Sequence, residues 1–160
     1  MKHDSLYMKM AENMSEISHG KRLKVGAILV TNNGVVLTGC NGLPKQLGNE
    51  LEHVEYPASH IPYTQHEYPL VSEKGFIYRL VTKPNVIHAE LNCILKAARE
   101  GVSVIDSTIY ITTAPCLVCA TMLLAAGVKR VVYKDEYRDT SGVDMLQTVG
   151  VECIRFSDCH

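Results

Sequence analysis

Residues 88–133 read HAELNCILKAAREGVSVIDSTIYITTAPCLVCATMLLAAGVKRVVY, and this stretch decides the fold. Two helices are predicted at residues 88–100 and 116–126, because each apolar pattern stops at a glycine, a common helix end. Runs rich in β-branched residues at 107–112 and 129–133 predict the strands that follow each helix. Helices that alternate with strands in this way predict parallel strands with helices covering both faces of the sheet.

The flanking sequence extends the same plan. Four apolar residues near the start recur at helical spacing: Leu6, Met10, Met14 and Ile17. Aliphatic runs at residues 24–30 and 35–40 enclose Asn32-Asn33-Gly34, which is typical of a β-hairpin turn. A helix at residues 139–149 and a strand at 151–156 complete the pattern. The predicted fold class is therefore α/β, a three-layer α/β/α domain with a mixed sheet of about five strands.

Two of these helices are predicted to bury particular faces. In the helix at residues 88–100, Leu91, Leu95 and Ala98 share one side, which we expect to pack on the core. The helix at residues 116–126 is apolar around its circumference, so we predict that it is buried.

Residues 41–86 lack a sustained pattern. They contain five of the six prolines and three of the seven histidines, and no helix or strand can be assigned to them. A connection of this length is uncommon in a compact domain and is usually a functional or binding segment. We therefore predict a single domain over residues 1–160 with a long insert at 41–86.

Composition and charge limit the classes of partner. Hydrophobic residues make up 46% of the chain and charged residues 21%, as in ordinary globular proteins. The formal net charge of -1 argues against nucleic acid as a partner, because such binding depends on surplus cationic charge. No apolar run approaches the roughly 18–20 residues that span a bilayer, and the first residues have no signal-peptide pattern. We expect a cytoplasmic protein without a membrane partner.

Two short segments carry the chemistry: His88-Ala89-Glu90 and Pro115-Cys116-Leu117-Val118-Cys119, each at the start of a predicted helix. Cys116 and Cys119 are three residues apart and share a helix face, so both sulfurs can point at one site. The partial positive charge of a helix N-terminus favours their thiolate form. With the His88 imidazole they make a ligand set suited to Zn²⁺.

A Cys-x-x-Cys pair alone is as typical of a structural zinc site, a redox pair or two buried core thiols as it is of a catalytic metal site. A structural site would need a fourth nearby Cys or His, and neither segment supplies one. The six cysteines could in principle form disulfides, but in a protein expected in the cytoplasm a close cysteine pair is more often metal-binding or catalytic. Cys93 lies close to the first segment, but we expect it to pack in the core.

Glu90 is the predicted proton carrier. It lies two residues after His88, near enough to reach a water at the metal without binding the metal itself. Zinc lowers the pKa of such a water toward about 7. A carboxylate there can accept the water proton and return protons to a ring nitrogen and a leaving amine. H-x-E followed by P-C-x-x-C is the signature of zinc-dependent nucleobase deaminases.

Beyond these segments the chain resembles the zinc-dependent deoxycytidylate deaminases, particularly the phage type, of the cytidine deaminase-like family. The similarity covers residues 20–155 and includes KVGA at 24–27, GCNGLP at 39–44, IHAELN at 87–92 and AAREG at 97–101. The resemblance implies hydrolytic deamination of dCMP to dUMP and ammonia, which supplies dUMP for thymidylate synthesis. It also implies the host cytoplasm as the location if a phage encodes the protein.

The resemblance implies roles for individual residues. It assigns catalytic Zn²⁺ to His88, Cys116 and Cys119, with Glu90 as the proton shuttle. Asn41 would hydrogen-bond the sugar hydroxyl, with both a donor and an acceptor to offer. Ala89 would let its backbone approach the base. Tyr137 would stack on or cover the base, although an ordinary surface tyrosine is equally compatible with the sequence.

A phosphorylated substrate also needs a cation. Lys21, Arg22 and Lys24 precede the first predicted strand, and Arg138 follows Tyr137. Lys24 is the preferred candidate because it occupies the matching position in similar enzymes, although charged residues are more often simply solvated.

The resemblance further implies regulation and assembly. Some members of the family are hexamers that dCTP activates and dTTP inhibits at a subunit interface. By this resemblance the chain is a homohexamer, and Gly42, Pro44 and Arg99 belong to the effector site. Mg²⁺ could accompany the regulatory nucleoside triphosphate.

The chain departs from its phage relatives at a second metal site. Those relatives often bind a structural zinc with cysteines near the first strand and after the Asn-Gly-x-Pro element. Residues 18–23 and 45–52 contain no cysteine here. His53, His60 and His66 could still gather a metal, but loop histidines are more commonly solvated.

Two other functions remain compatible with the sequence. The same chemistry could act on free cytidine, guanine, a pterin-like or riboflavin precursor, or adenosine in tRNA. The net charge argues against the tRNA substrate, and the chain length leaves no room for the reductase domain of a riboflavin-type enzyme. A zinc-stabilised binding module without catalysis would leave Glu90 idle.

Overall fold

The computed structural model describes residues 3–158, so Cys159 lies outside the described part. The helices are α1 (Asp4–Glu16), α2 (Ala89–Glu100), α3 (Leu117–Ala125) and α4 (Ser141–Thr148). The strands are β1 (Gly26–Val30), β2 (Val36–Cys40), β3 (Glu52–Glu55), β4 (Leu70–Val71), β5 (Ile77–Thr82), β6 (Thr108–Thr113), β7 (Arg130–Asp135) and β8 (Glu152–Arg155). Short 3₁₀ turns occupy Lys45–Leu47 and Phe156–Asp158.

The main sheet has five strands in the order β2-β1-β6-β7-β8. β1 runs antiparallel to both of its neighbours, whereas β6, β7 and β8 are parallel to one another. The mixed five-stranded sheet predicted from the sequence is therefore confirmed. The Asn-Asn-Gly hairpin is also confirmed, since Gly34 has a positive φ of 86° and its amide donates to the Thr31 carbonyl.

Alternate residues of each strand face opposite layers, which gives the three-layer arrangement. Ile28 and its neighbours Tyr110 and Val132 pack against Met8 and Ala11 of α1. On the other face, the cluster formed by α2, α3 and α4 packs on the sheet through the following buried residues: Leu29, Ile109, Ile111, Cys93, Ala120, Leu123, Val131 and Leu146. The predicted α/β/α layering is confirmed.

A buried ion pair anchors α1 to the sheet. Arg130 of β7 donates to both carboxylate oxygens of Asp4, at 2.9 and 2.8 Å, and the Tyr110 hydroxyl donates to the same carboxylate at 2.8 Å. Burial raises the pKa of Asp4, but hydrogen bonds, above all from Arg130, outweigh it and hold the pKa well below its usual range. The pair therefore stays ionised while fully enclosed.

The buried face of α2 differs from the predicted one. Leu95 is 45% exposed and Ala98 is exposed, whereas Ala89, Cys93 and Ala97 are buried. The reason is steric, because α2 lies so close to β2 that only small side chains fit between them. A Cβ on Gly39 would overlap the Ala89 carbonyl oxygen. The expectation that Cys93 packs in the core is confirmed, since it is fully buried.

Of the four apolar residues that predict α1, Met10 and Met14 pack against the core beside the buried Met8 and Ala11, whereas Leu6 and Ile17 are exposed. The prediction that α3 is buried all round is wrong. Its Cys119, Ala120 and Leu123 face the core, but Leu117 and Val118 are 46% and 61% exposed.

The insert at residues 41–86 forms a second, antiparallel sheet with the strand order β3-β5-β4. Its two ends are joined by a backbone bridge between Gly42 and Ile87 and by a hydrogen bond from the Lys83 amide to the Leu51 carbonyl. The insert therefore leaves and re-enters the main fold next to His88. The division of the whole chain into one domain with an insert stays a prediction.

Within residues 3–158, no helix combines the length and apolarity that crossing a bilayer requires. The cytoplasmic location stays a prediction.

Candidate metal and active site

The site forms where the N-termini of α2 and α3 meet. His88 and Cys116 are the residues that cap these two helices, and both have an extended backbone, with ψ of 157° and 166°. Their carbonyls accept the first helical hydrogen bonds, from the amides of Asn92 at 3.0 Å and Ala120 at 2.9 Å. Each capping side chain is thus free to turn away from its own helix and toward the other.

The three predicted ligands converge. The Nδ1 atom of His88 lies 3.7 Å from the Cys116 Sγ atom and 3.3 Å from the Cys119 Sγ atom. Zinc holds sulfur at about 2.3 Å and imidazole nitrogen at about 2.0–2.1 Å, so tetrahedral angles separate these atoms by about 3.5 Å. The observed distances lie on either side of that value. The donor set and its spacing therefore fit a zinc ion.

The two thiols are electrostatically coupled. Hydrogen bonds from Cys119 and His88 lower the pKa of the Cys116 thiol, which also caps the positive end of α3. The Cys119 thiol donates to Cys116 and is buried, so its pKa is raised. The pair thus carries one negative charge readily, and a divalent cation supplies the charge that stabilises a second thiolate.

Glu90 lies in the first turn of α2, beside the three ligands, and is 4% exposed. Burial raises its pKa above the ordinary value for a carboxyl group. A carboxyl group with a raised pKa exchanges protons more easily near neutral pH, which suits a general acid and base.

A cavity of about 500 Å³ opens onto these residues, a size within the usual range for small-molecule sites. The candidate metal site contributes His88, Ala89, Glu90 and Cys116 to its walls. Other parts of the chain contribute Arg22, Leu23, Val25, Asn41, Val81, Thr82, Val86, Tyr137 and Arg138. The metal cluster thus lies at the wall of a space large enough for a nucleotide.

Residues 1–135 match the family model of the cytidine and deoxycytidylate deaminase zinc-binding region. The chain belongs to this family. The deoxycytidylate deaminase of Enterobacteria phage T2 is 32% identical over 168 residues, covering 92% of this chain and 89% of that protein. These findings confirm the family predicted from the sequence, and all three candidate metal ligands lie within the matched zinc-binding region.

Solved structures agree with this family. The dCMP deaminase of cyanophage S-TIM5, crystallised in complex with dCMP and dUMP, is 36% identical over 97% of both chains, with a TM-score of 0.70. A diaminohydroxyphosphoribosylaminopyrimidine deaminase/reductase from Thermotoga maritima is 18% identical over 96% of this chain and 36% of that one, with a TM-score of 0.62. The second likeness concerns the fold alone, and the first confirms the cytidine deaminase-like fold.

Three of the predicted substrate residues line the cavity of this family member: Asn41, Ala89 and Tyr137. The Asn41 side-chain amide accepts a hydrogen bond from the Val25 backbone amide at 2.8 Å and donates to the Leu23 carbonyl at 2.9 Å. Asn41 therefore braces the segment that leads into β1. Its oxygen and nitrogen each keep a second hydrogen-bonding position for a ligand.

The cationic residues are arranged differently from the prediction. Arg22 and Arg138 line the cavity, whereas Lys24 borders a separate cavity with Glu12 and Lys134. Residues 21–25 form an irregular segment, in which Lys24 points toward α1 and its Nζ atom donates to the Glu16 carbonyl at 3.5 Å. The structure therefore places Arg22 rather than Lys24 at this cavity, and the assignment of a phosphate cation stays a prediction.

The predicted effector residues do not converge within one chain. Gly42 pairs with Ile87 at the start of α2, and Pro44 precedes the 3₁₀ turn that follows. Arg99 lies in the last turn of α2, about 18 Å along the helix from Ile87, where it pairs with Glu100. The role of these three residues in an effector site stays a prediction.

The second-metal hypothesis finds no support among residues 3–158. The one group of three or more His, Cys, Asp or Glu residues with ligand atoms within 4.8 Å of one another in that range is His88, Cys116 and Cys119. His53, His60 and His66 of the insert do not gather.

Sequence reasoning missed Glu52 and Thr82, which both line the cavity from the insert sheet. No local signal could have identified them, because they contribute through long-range strand pairing of a segment without a recognisable pattern.

Proposed function

We propose that this protein deaminates dCMP to dUMP and ammonia and so supplies dUMP for thymidylate synthesis. The observation that carries the proposal is the convergence of His88, Cys116 and Cys119 beside the buried Glu90 at the wall of a 500 Å³ cavity. Relatives that match the chain over most of their own length add support, since they are named deoxycytidylate or dCMP deaminases.

In this proposal His88, Cys116 and Cys119 hold a catalytic Zn²⁺. Zinc supplies a water that ionises near neutral pH. Glu90 would accept one proton from the attacking water and pass it to the ring nitrogen of cytosine, and would then accept the proton of the added hydroxyl and deliver it to the amine, which leaves as ammonia. Water and dCMP are thereby converted into dUMP and ammonia, and Glu90 ends in the protonation state in which it began.

The remaining cavity residues orient the nucleotide. Asn41 can bind a sugar hydroxyl with its unused donor and acceptor. Tyr137 is half-buried at the cavity and can cover the base, with the Arg138 guanidinium 5.9 Å from its ring centre. Arg22 and Arg138 line the cavity and can bind the phosphate through their guanidinium groups.

The test of the mechanism is Glu90→Gln. We expect the variant to keep its zinc and to lose about 10²- to 10⁴-fold in kcat, because the amide cannot carry the proton. Glu73→Gln, at an exposed carboxylate of the insert, is the matched control and should remain fully active. Turnover is followed by the loss of cytosine absorbance. Wild-type rates in a zinc-loaded Glu90→Gln protein would rule out the assigned role.

The test of the substrate is a panel of dCMP, CMP, deoxycytidine, cytidine and dCTP in the same assay. We expect the highest kcat/KM for dCMP. Activity confined to the unphosphorylated nucleosides would defeat the monophosphate assignment.

We also propose a homo-oligomer, with a hexamer as the specific form. The outer face of α3 supports it, because Leu117, Val118 and Met122 are 46%, 61% and 37% exposed on one side of the helix. Contiguous apolar side chains on a helix surface mark interaction sites. Val118→Lys should lower the mass measured by light scattering, and an unchanged oligomer would remove this face from the interface.

Regulation by dCTP as activator and dTTP as inhibitor, with Mg²⁺ accompanying the triphosphate, is proposed for the same assembly. The Gly42–Ile87 bridge supports it, because the Gly42–Pro44 loop is joined to the residue before His88. The distance of Arg99 from that loop requires that neighbouring subunits complete the site. Hyperbolic dCMP kinetics that neither triphosphate alters, with or without Mg²⁺, would contradict this proposal.

A further inference from the structure

The insert sheet makes two contacts with one short segment at the edge of the cavity. Glu52 of β3 and Thr82 of β5 are paired across the ladder. The Oε1 atom of Glu52 accepts the backbone amides of Lys21 and Arg22, at 3.0 and 3.1 Å. The Thr82 hydroxyl accepts a hydrogen bond from the Arg22 Nη1 atom at 3.3 Å. Backbone and side chain of Arg22 are thus both held by the same ladder position.

The held segment has no helix or strand of its own. Residues 18–25 connect α1 to β1 as irregular chain, and Arg22 is exposed. A long side chain on such a segment would otherwise sample many rotamers, and ordering it on binding would weaken affinity. Hydrogen bonds from amides to a carboxylate are among the stronger ones, so Glu52 restricts the backbone from which Arg22 extends.

The charge of Glu52 limits what else it can do. Its carboxylate lines the same cavity as Arg22, and a direct contact with the dianionic phosphate of a nucleotide would be repulsive. Both amide hydrogens instead meet one carboxylate oxygen, which leaves the Arg22 guanidinium as the group that can face an anion. The Arg22 guanidinium is therefore placed to bind an anion, and the Glu52 carboxylate is placed to hold the Arg22 backbone.

We propose that Glu52, with Thr82, is a positioning residue that holds Arg22 ready for the phosphate of the substrate. The insert sheet then serves substrate selection, because it distinguishes a nucleoside monophosphate from the nucleoside. The inference rests on the proposed deamination of dCMP and on Arg22 as a phosphate ligand.

The experiment measures kcat and KM for dCMP and for deoxycytidine in the full-length, zinc-loaded protein. Arg22→Ala should raise KM for dCMP about tenfold or more, the scale of a hydrogen bond to a charged group, and leave deoxycytidine unchanged. Glu52→Ala should raise KM for dCMP several-fold, with kcat and the deoxycytidine constants unchanged. Glu52→Gln should stay near wild type, because its amide oxygen can accept the same two backbone amides.

The double variant Arg22→Ala with Glu52→Ala separates an indirect role from a direct one. If Glu52 acts only through Arg22, the double variant has the KM of Arg22→Ala alone. Additive effects on KM, or equal losses with deoxycytidine, would overturn the inference, since Glu52 would then contact the nucleoside or support the fold. A Glu52→Gln protein as weak as Glu52→Ala would overturn it as well.

Thr82→Val keeps the inference testable if Glu52→Ala fails to fold. It removes the hydroxyl that accepts from Arg22 and should raise KM for dCMP about two- to fivefold, with deoxycytidine unaffected. Wild-type KM in this variant would remove Thr82 from the proposal. If Arg22→Ala itself leaves the preference for dCMP over deoxycytidine intact, the phosphate assignment under the proposed function has failed, which is a distinct result.

Discussion

The helix α4 packs against the backbone of the candidate metal ligand Cys116 at a glycine, Gly142. Gly142, the second residue of α4, is buried against the peptide that joins Pro115 to Cys116. A Cβ at this position would overlap the Pro115 carbonyl oxygen and lie 2.8 Å from the Cys116 carbonyl carbon. Gly142→Ala therefore forces either α4 or the Cys116 backbone to move, and both contacts are with rigid main chain.

The size of the movement can be read from the distances. Ordinary van der Waals contact of a Cβ begins at 3.4 Å, so the Cys116 carbonyl carbon must retreat by about 0.6 Å if α4 stays in place. Zinc sites tolerate deviations of about 0.2 Å in their bond lengths. A shift of Cys116 three times as large should weaken zinc affinity about 10- to 100-fold, which is the usual effect of mutating residues that hold a metal ligand in place. The overpacking itself should lower the free energy of unfolding by about 1–3 kcal/mol.

The assay is a competition titration with a chromogenic zinc chelator, followed by dCMP turnover at saturating zinc. Gly75→Ala is the matched control, because Gly75 has a φ of 81° with no atom within 4 Å of the added Cβ. The control should lose about 1 kcal/mol of stability and no zinc affinity. If Gly142→Ala bound zinc as tightly as the control, the close contact at Cys116 would have no bearing on the metal, and the reasoning would be refuted.

Three further predictions concern the metal, the ion pair and the cations. Dialysis against a strong chelator should abolish dCMP turnover and added Zn²⁺ should restore it; full turnover by a chain shown to be free of metal would contradict the zinc assignment. Asp4→Asn should lower the free energy of unfolding in urea by about 3 kcal/mol, because it leaves the buried Arg130 with only the exposed Glu152 carboxylate as an ionic partner, whereas Asp106→Asn at an exposed position should not. Since the pKa of Asp4 is depressed in the folded state, the contribution of this pair is complete above about pH 4 and is lost as the pH falls further. The difference in unfolding free energy between wild type and Asp4→Asn should therefore shrink as the pH falls below about 4, and a difference that stayed constant into strong acid would refute this reasoning. Lys24→Ala should leave KM for dCMP within about twofold of wild type, in contrast to Arg22→Ala; equal losses in both would return Lys24 to the site.

The metal cluster could be predicted from the sequence because its geometry is local. Cys116 and Cys119 share a helix face by their spacing alone, and His88 and Cys116 each begin a helix that ends at a glycine. In the main sheet, β2 precedes α2 and β6 precedes α3. These two strands run in the same direction on either side of the antiparallel β1, so both helices start at the same edge of the sheet. Few long-range assumptions are needed.

Predictions that depend on hydrophobicity alone are less successful. Hydrophobicity places Leu95 of α2 in the core, but close approach to β2 selects small side chains such as Ala97. The outward face of α3 is as apolar as the inward one, so the sequence could not distinguish burial in the chain from an exposed surface. The cavity that Arg22 or Lys24 lines depends on how an irregular segment bends, which the sequence does not indicate. Glu52, which accepts a hydrogen bond from that segment, lies 30 residues further along the chain.

The positions of these residues separate the reaction from the selection of the substrate. Glu90 and the three ligands begin helices that the main sheet and its core hold in place, so substitutions that disturb them should affect kcat for every substrate. Arg22 is held by hydrogen bonds from a peripheral sheet, and substitutions there can change KM without moving the metal. Under the proposed function, substitutions in the insert should therefore change the preferred substituent on the nucleoside and leave the chemistry at His88 and Glu90 the same.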